Sequence, residues 1–180
     1  REQVAQLAWR PTWCSLLTSC QKQVASAVAA AGQRYIPDLY IERKATEVDF
    51  AAFLQSDKPC MIVVGTSGSG KTNLVCHLAN HYVQSRPVIF LSGRDRISKE
   101  SDLIEHVNDA LNHSIGLGTG KRITLDDFVR ITREHYDEGI VFIDGISEND
   151  DIVLMKRAVQ TLLTQHGGTL GFKLCVTCRD

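Results

Sequence analysis

The sequence predicts an α/β fold in which a parallel sheet is covered by helices on both faces. Three observations carry this. Residues 60–64, 88–91, 140–143 and 172–177 read as continuous apolar runs, not alternating ones, as expected of strands buried on both sides. Segments with helical spacing lie between them, the alternation that builds parallel sheets. The groups that bear chemistry, Lys71, Thr72, Asp144, Glu148 and Arg179, fall at the carboxyl ends of the runs, where such sheets hold ligands.

In chain order, residues 1–34 read as a somewhat amphipathic helix broken at Pro11, a linker helix or the tail of a preceding domain. Val4, Leu7 and Ala8 share one face, as do Leu16, Leu17 and Cys20. Residues 24–31 are strong helix formers, ended near Gly32. Trp9 and Trp13 are spaced to form one aromatic patch, with packing as the default role. Residues 35–180 are expected to form the main domain. Tyr35 to Lys44 reads as an extended lead-in with a short strand, and Thr46 as the cap of a helix through about Leu54. Asp57-Lys58-Pro59 turns the chain into the first buried strand.

The helix after that strand carries Leu74, Val75, Leu78 and Ala79. His77 and His81 are one helical turn apart but lack the glutamate of a metalloprotease pair, so they read as surface or core histidines. Ser85-Arg86-Pro87 breaks the chain before residues 88–91. Ser101 or Asp102 starts the next helix, and Gly116 to Lys121 reads as a connector. Thr124 with Asp127 predicts a capping arrangement for the helix of Leu125, Phe128, Val129, Ile131 and Tyr136. A further helix is expected from about Asp150 to His166, stopped by Gly167-Gly168, before the fourth strand delivers Cys178-Arg179-Asp180.

The junction of the first strand and its helix is spelled Gly65-Thr66-Ser67-Gly68-Ser69-Gly70-Lys71-Thr72, followed by Asn73. Glycines let a backbone turn its N–H groups inward around a phosphate chain. The helix start adds unpaired N–H groups and a positive dipole end. Lys71 can reach the β- and γ-phosphates, and the Thr72 hydroxyl can ligate the accompanying Mg²⁺. Asp144, ending the third apolar run, can hold a magnesium-bound water near Thr72; the bland reading is an Asp-Gly turn. Glu148 either positions an attacking water or belongs to an acidic cap with Asn149, Asp150 and Asp151. Arg179 either contacts a γ-phosphate or is a solvated arginine.

The net charge of −1 gives no bulk case for nucleic acid, and no basic run is visible. No apolar run approaches membrane-spanning length and no signal peptide is apparent. Cys60 and Cys76 occupy core positions, which fits a reducing, cytoplasmic setting. Cys175 and Cys178 spell CxxC, but on a strand they point to opposite faces, which argues against zinc or redox chemistry. The chain starts at Arg1 and stops after an apolar strand, which suggests a piece of a longer protein.

GTSGSGKT, VFIDGISE and KLCVTCRD together resemble the signal-transducing ATPases of the STAND class, NACHT-like branch. Asp144-Gly145-Ile146-Ser147-Glu148 keeps that branch's first aspartate, glycine and final glutamate, and departs at Ser147, where an acid is usual. The resemblance covers roughly residues 35–180. It implies an AAA-like three-layer sandwich, with the Arg179 strand between the glycine-loop strand and the Asp144 strand. It implies ATP or ADP with Mg²⁺, adenine packing by Leu39, Tyr40 and Ile41, and a sensor role for Arg179. Homo-oligomerisation and coupling to other domains of the same chain complete what it implies. In the family a fifth strand, a helical lid and a winged helix follow; they are not among these residues.

Three functions remain open on this reading. One is an ATP switch with slow hydrolysis. Another is a small-molecule phosphotransferase, for which Arg94 and Arg96 are the only lid candidates. The third is a nucleotide-locked module that never turns over.

Overall fold

The computed structural model describes residues 10–31, 35–113, 122–135, 138–165 and 171–180. Expectations for Val4, Leu7, Ala8, Trp9, Gly32, residues 116–121, Tyr136, His166 and Gly167-Gly168 lie outside these residues. Four strands, β1 (Cys60–Val64), β2 (Val88–Ser92), β3 (Gly139–Asp144) and β4 (Phe172–Cys178), form one parallel sheet in the order β1-β4-β3-β2. The strand bearing Arg179 thus lies between the glycine-loop strand and the Asp144 strand, as expected. Six helices accompany them among the described residues: α1 (Trp13–Ala30), α2 (Lys44–Leu54), α3 (Lys71–Tyr82), α4 (Asp102–Asn112), α5 (Leu125–Glu134) and α6 (Ile152–Gln165).

Alternation along the strands divides the core. Phe142 meets Phe50 of α2 on one face, with ring centroids 5.6 Å apart, and Phe50 in turn meets Tyr82 of α3. Phe172 meets Phe128 of α5 edge-on across the other face. β2, β3 and β4 are buried because each face has its own helical layer, which is why they lack a polar alternation. β1 departs from this: it is an outer strand, and Ile62 and Val64 are 60% and 57% exposed.

The opposite outer strand is closed by α1. Gln23, itself buried, donates from Nε2 to the Phe90 carbonyl at 2.6 Å and accepts the Phe90 N–H at 3.0 Å. One amide side chain thus does at the β2 edge what a further strand would do. Leu16, Cys20 and Val24 of the same helix join the common core. Gln23→Leu will lower stability by about 2–4 kcal/mol, since it strands two backbone groups. Urea unfolding checks this; a loss under about 0.5 kcal/mol would mean that the edge needs no such partner.

Two local expectations are corrected. Residues 35–44 contain no strand; Pro37–Leu39 is a 3-10 turn with proline at its start. Proline supplies the turn's φ and has no N–H to give a ladder. Thr46 does not cap α2, which starts two residues earlier at Lys44, with Arg43 at the cap position and no side-chain cap bond. Glu47 replaces that cap from inside the helix by accepting the Arg43 N–H at 3.0 Å. The Thr124–Asp127 capping box is present as expected. From the acidic segment before α6, Asp151 caps the helix, accepting the Leu154 N–H at 2.9 Å. Trp13 stacks on His135, the residue that follows α5, with ring centroids 4.5 Å apart. Among the described residues, no helix is long and apolar enough to cross a membrane.

Candidate nucleotide-binding site

The register of the sheet brings the site together. Val64 lies beside Cys178, and Ser92 beside Asp144, so the glycine loop, Asp144 and Arg179 all leave the same edge of the sheet. They surround a cleft of about 430 Å³ that includes Gly68, Lys71, Thr72, Asp144, Glu148 and Arg179.

Gly68 and Gly70 have φ of 76° and 80°, backbone that side chains rarely adopt. They allow the loop to curl into the N-terminus of α3. Gly70 is the cap residue of α3 and has no side-chain cap bond to offer. Thr66 closes the curl by accepting the Ser69 N–H at 3.2 Å. Lys71 folds back over the loop, donating to the carbonyls of Gly65 at 2.5 Å and Thr66 at 2.8 Å, and lying 3.4 Å from Ser69 Oγ. Its ammonium therefore sits in the mouth of the loop. Ser67 lines the cleft rim, and Asn73 enters it with a buried Oδ1 that has no hydrogen-bond partner.

Asp144 and Thr72 meet directly. The Thr72 hydroxyl donates to Asp144 Oδ2 at 2.7 Å, across 72 positions of chain. Two hard oxygens at the end of a lysine-bearing anion loop suit a magnesium ion better than a softer metal. Thr72 and Asp144 would hold such an ion, which would supply charge neutralisation to a bound phosphate group. Gly93 is needed here for another reason: a Cβ on it would lie 2.6 Å from the Ile146 nitrogen. The end of β2 can therefore close against Asp144, whose carbonyl accepts the Gly93 N–H at 2.7 Å.

Glu148 belongs to a 3-10 turn, Ile146–Glu148, that follows Gly145 at φ 80°. It is held between two arginines: Arg94 from the loop after β2, and Arg179, whose Nη2 donates to Oε1 at 2.9 Å. Burial alone would raise its pKa, but the bonds and charges of Arg94 and Arg179 outweigh this and hold it below the usual glutamate range. Ser147, where the resembled family carries an acid, accepts the backbone N–H of Arg179 through its Oγ at 2.9 Å. It ties the tip of β4 to the turn. Arg96 does not line the cleft.

The adenine candidates lie apart from these groups. Leu39 and Ile41 are 72% and 83% exposed, and Tyr40 stacks on His77 of α3 at 3.9 Å, nearly parallel. The Tyr40 hydroxyl donates to Glu47 at 2.8 Å, and burial, then that bond, push its pKa above the usual tyrosine range. Sequence reasoning missed Arg43, whose guanidinium donates to the Ser69 carbonyl at 2.7 Å and covers Gly70. Its only signal was a position just before a helix start.

All six cysteine thiols are free. Burial pushes Cys20 and Cys76 up to about 12, and Cys175 higher, so these thiols are inert apolar fillers.

Fold and strand-end cleft together define an α/β sandwich of the P-loop NTPase, AAA-like kind. Comparison with solved structures agrees on the fold. The chain is similar to one in the structure of Drosophila ORC bound to poly(dA/dT) DNA and Cdc6, conformation 1, with 14% identity and a TM-score of 0.51. It is similar at the same identity, with a TM-score of 0.50, to one in Drosophila ORC bound to GC-rich DNA and Cdc6. In each case the likeness covers 98% of this chain and 29% of the other, so this chain spans under a third of those proteins. No protein-family model and no curated protein matches the sequence.

Proposed function

We propose that this chain is the ATP-binding core of a slowly hydrolysing molecular switch, of the STAND, NACHT-like kind. The observation that carries the reading is the 2.7 Å contact between Thr72 and Asp144, at the mouth of a glycine loop that already holds its lysine. On this reading residues 65–73 take the phosphates, and Thr72 and Asp144 take Mg²⁺. Arg179 reports the γ-phosphate, and Leu39, Tyr40 and Ile41 pack against adenine. Glu148 is the water-positioning residue, held back by Arg94 and Arg179 until those cations turn to phosphate. Such a clamp suits a switch better than a rapid enzyme, because hydrolysis waits on a rearrangement. Nucleotide state would then set the contacts of this core with other domains and with further copies of itself, in the cytoplasm, in a signalling or defence role.

The same clamp supports a second reading, a nucleotide-locked module that never turns over, since both Glu148 oxygens are already engaged by arginines. A phosphotransferase is less well supported, because Arg94 is engaged by Glu148 and Arg96 stands outside the cleft. Incubating the protein with ATP and Mg²⁺, then identifying the retained nucleotide over hours, tests these readings. The switch is expected to show retained ADP and slow phosphate release that no small acceptor accelerates. Retained ATP alone would favour the locked module. Failure to retain any nucleotide would remove both.

A further inference from the structure

Asp144 has a second partner that the phosphate-loop reading does not use. Thr177, on β4, is 1% exposed. Its oxygen accepts the Gly145 N–H at 2.7 Å and lies 2.6 Å from Asp144 Oδ1. A hydroxyl has one proton. With the Gly145 N–H already pointing at the oxygen, that proton goes to the carboxylate. The two oxygens of Asp144 are therefore assigned: Oδ1 to Thr177 and Oδ2 to Thr72.

This matters because the last torsion of an aspartate is soft. Rotation about its sp³–sp² bond has broad, roughly two-fold wells, so a carboxylate with one anchor can turn its plane at little cost. Two hydroxyl anchors on opposite oxygens remove that freedom. The register makes the arrangement possible: Ile143 pairs with Val176, so the next residues, Asp144 and Thr177, stand abreast on one face of the sheet. Gly145, at φ 80°, turns the chain there, and its N–H closes the three-membered contact.

We propose that Thr177 is a positioning residue that fixes the carboxylate plane of Asp144 so that Oδ2 faces the divalent-ion position beside Thr72. The inference rests on the nucleotide reading above and deepens it. The Thr177 hydroxyl is committed to Asp144 and Gly145. It acts through Asp144, and because Arg179 follows directly on the last residue of β4, one strand orders the carboxylate and leads into the cation that reports on phosphate.

Thr177→Val tests this, since valine keeps the branched shape and removes the hydroxyl. The measurement is the Mg²⁺ concentration at half-maximal retention of a fluorescent ATP analogue, with ADP binding in EDTA and the urea midpoint as companions. Losing a residue that orients a metal ligand typically weakens metal affinity roughly 10–100-fold. Thr177→Val is expected to raise the Mg²⁺ requirement by about that factor and to leave binding in EDTA within about twofold. Thr177→Ser, which restores the hydroxyl, is expected to stay within about threefold of wild type throughout. An unchanged Mg²⁺ requirement in Thr177→Val overturns the proposal, as does an equal shift in Thr177→Ser. If Thr177→Val fails to fold, Thr177→Cys supplies the comparison: a sulfur donates weakly, so an increased Mg²⁺ requirement supports the proposal and a wild-type profile overturns it. Absence of nucleotide binding in wild type would remove the underlying reading as well, a different outcome from wild-type binding with an unaltered variant profile.

Discussion

Lys71→Ala will weaken ATP binding about 100-fold without unfolding the protein. In the free structure the Lys71 ammonium spends its hydrogen bonds on the Gly65 and Thr66 carbonyls, inside the loop that would receive phosphate. A bound triphosphate replaces those neutral acceptors with charged oxygens. Hydrogen bonds to charged groups contribute roughly 1.5–3 kcal/mol each, and about 1.4 kcal/mol is tenfold in affinity. One or two such bonds lost gives the stated magnitude. The cost to the fold is small, because both carbonyls are beside an open cleft where water can take over. Calorimetric titration with ATP and Mg²⁺, alongside a urea curve, separates the two effects. Lys71→Arg is expected to fare little better, since a planar fork does not fit a mouth shaped around a compact ammonium. ATP affinity that survives Lys71→Ala would sink the nucleotide reading.

The second large effect concerns turnover. Glu148→Gln is expected to slow hydrolysis about 100-fold or more while leaving ATP affinity within about threefold, because general-base contributions typically span 10²–10⁴. Glutamine keeps the shape and loses the charge. Retained nucleotide should therefore shift from ADP to ATP, which chromatography of the released nucleotide reads directly. Stability should change little, since both arginine partners are nearly half exposed and solvent-screened pairs contribute little. The pH behaviour follows from the direction of the shift. With its pKa below the usual glutamate value of about 4.3, Glu148 stays ionised from pH 5 to 8. What the ionised clamp adds to stability is present above the unfolded value and is lost only as pH falls through the lower folded one. A hydrolysis rate untouched by Glu148→Gln would leave the locked module as the surviving reading.

The sheet was legible from the chain because continuous apolar runs have few alternative uses at such lengths. The glycine loop was legible because its spacing, its lysine and its flanking elements all had to agree. Asp144 followed from its place at the end of Ile140–Ile143, later in the chain than the loop. Contacts set by register were not legible. Nothing near Thr177 in sequence points to Asp144, 33 positions earlier; only the alignment of β3 with β4 joins them. Gln23 reads as a polar residue on a helix until the free edge of β2 is in view. Arg94 and Arg43 were single charges in loops, and pairing with Glu148 or with the Ser69 carbonyl depends on how those loops fold over. The lead-in segment was misread as a strand because Tyr35, Ile36, Tyr40 and Ile41 favour one, whereas Pro37 and the pull of Tyr40 onto His77 decide the backbone.

Among the described residues, the glycine loop hangs from an outer strand of the sheet. β3 and β4 are flanked on both sides and β2 is sealed by Gln23, but β1 is paired along one side and shows Ile62 and Val64 to solvent. Segments with few buried contacts open at lower free energy than the rest of a fold. Amide protons of β1 should therefore exchange ahead of those in the sheet interior, and a ligand gripped by the loop would slow them first. Because the glycine loop begins one residue after Val64, a displacement of β1 would pass directly into the loop that faces the cleft.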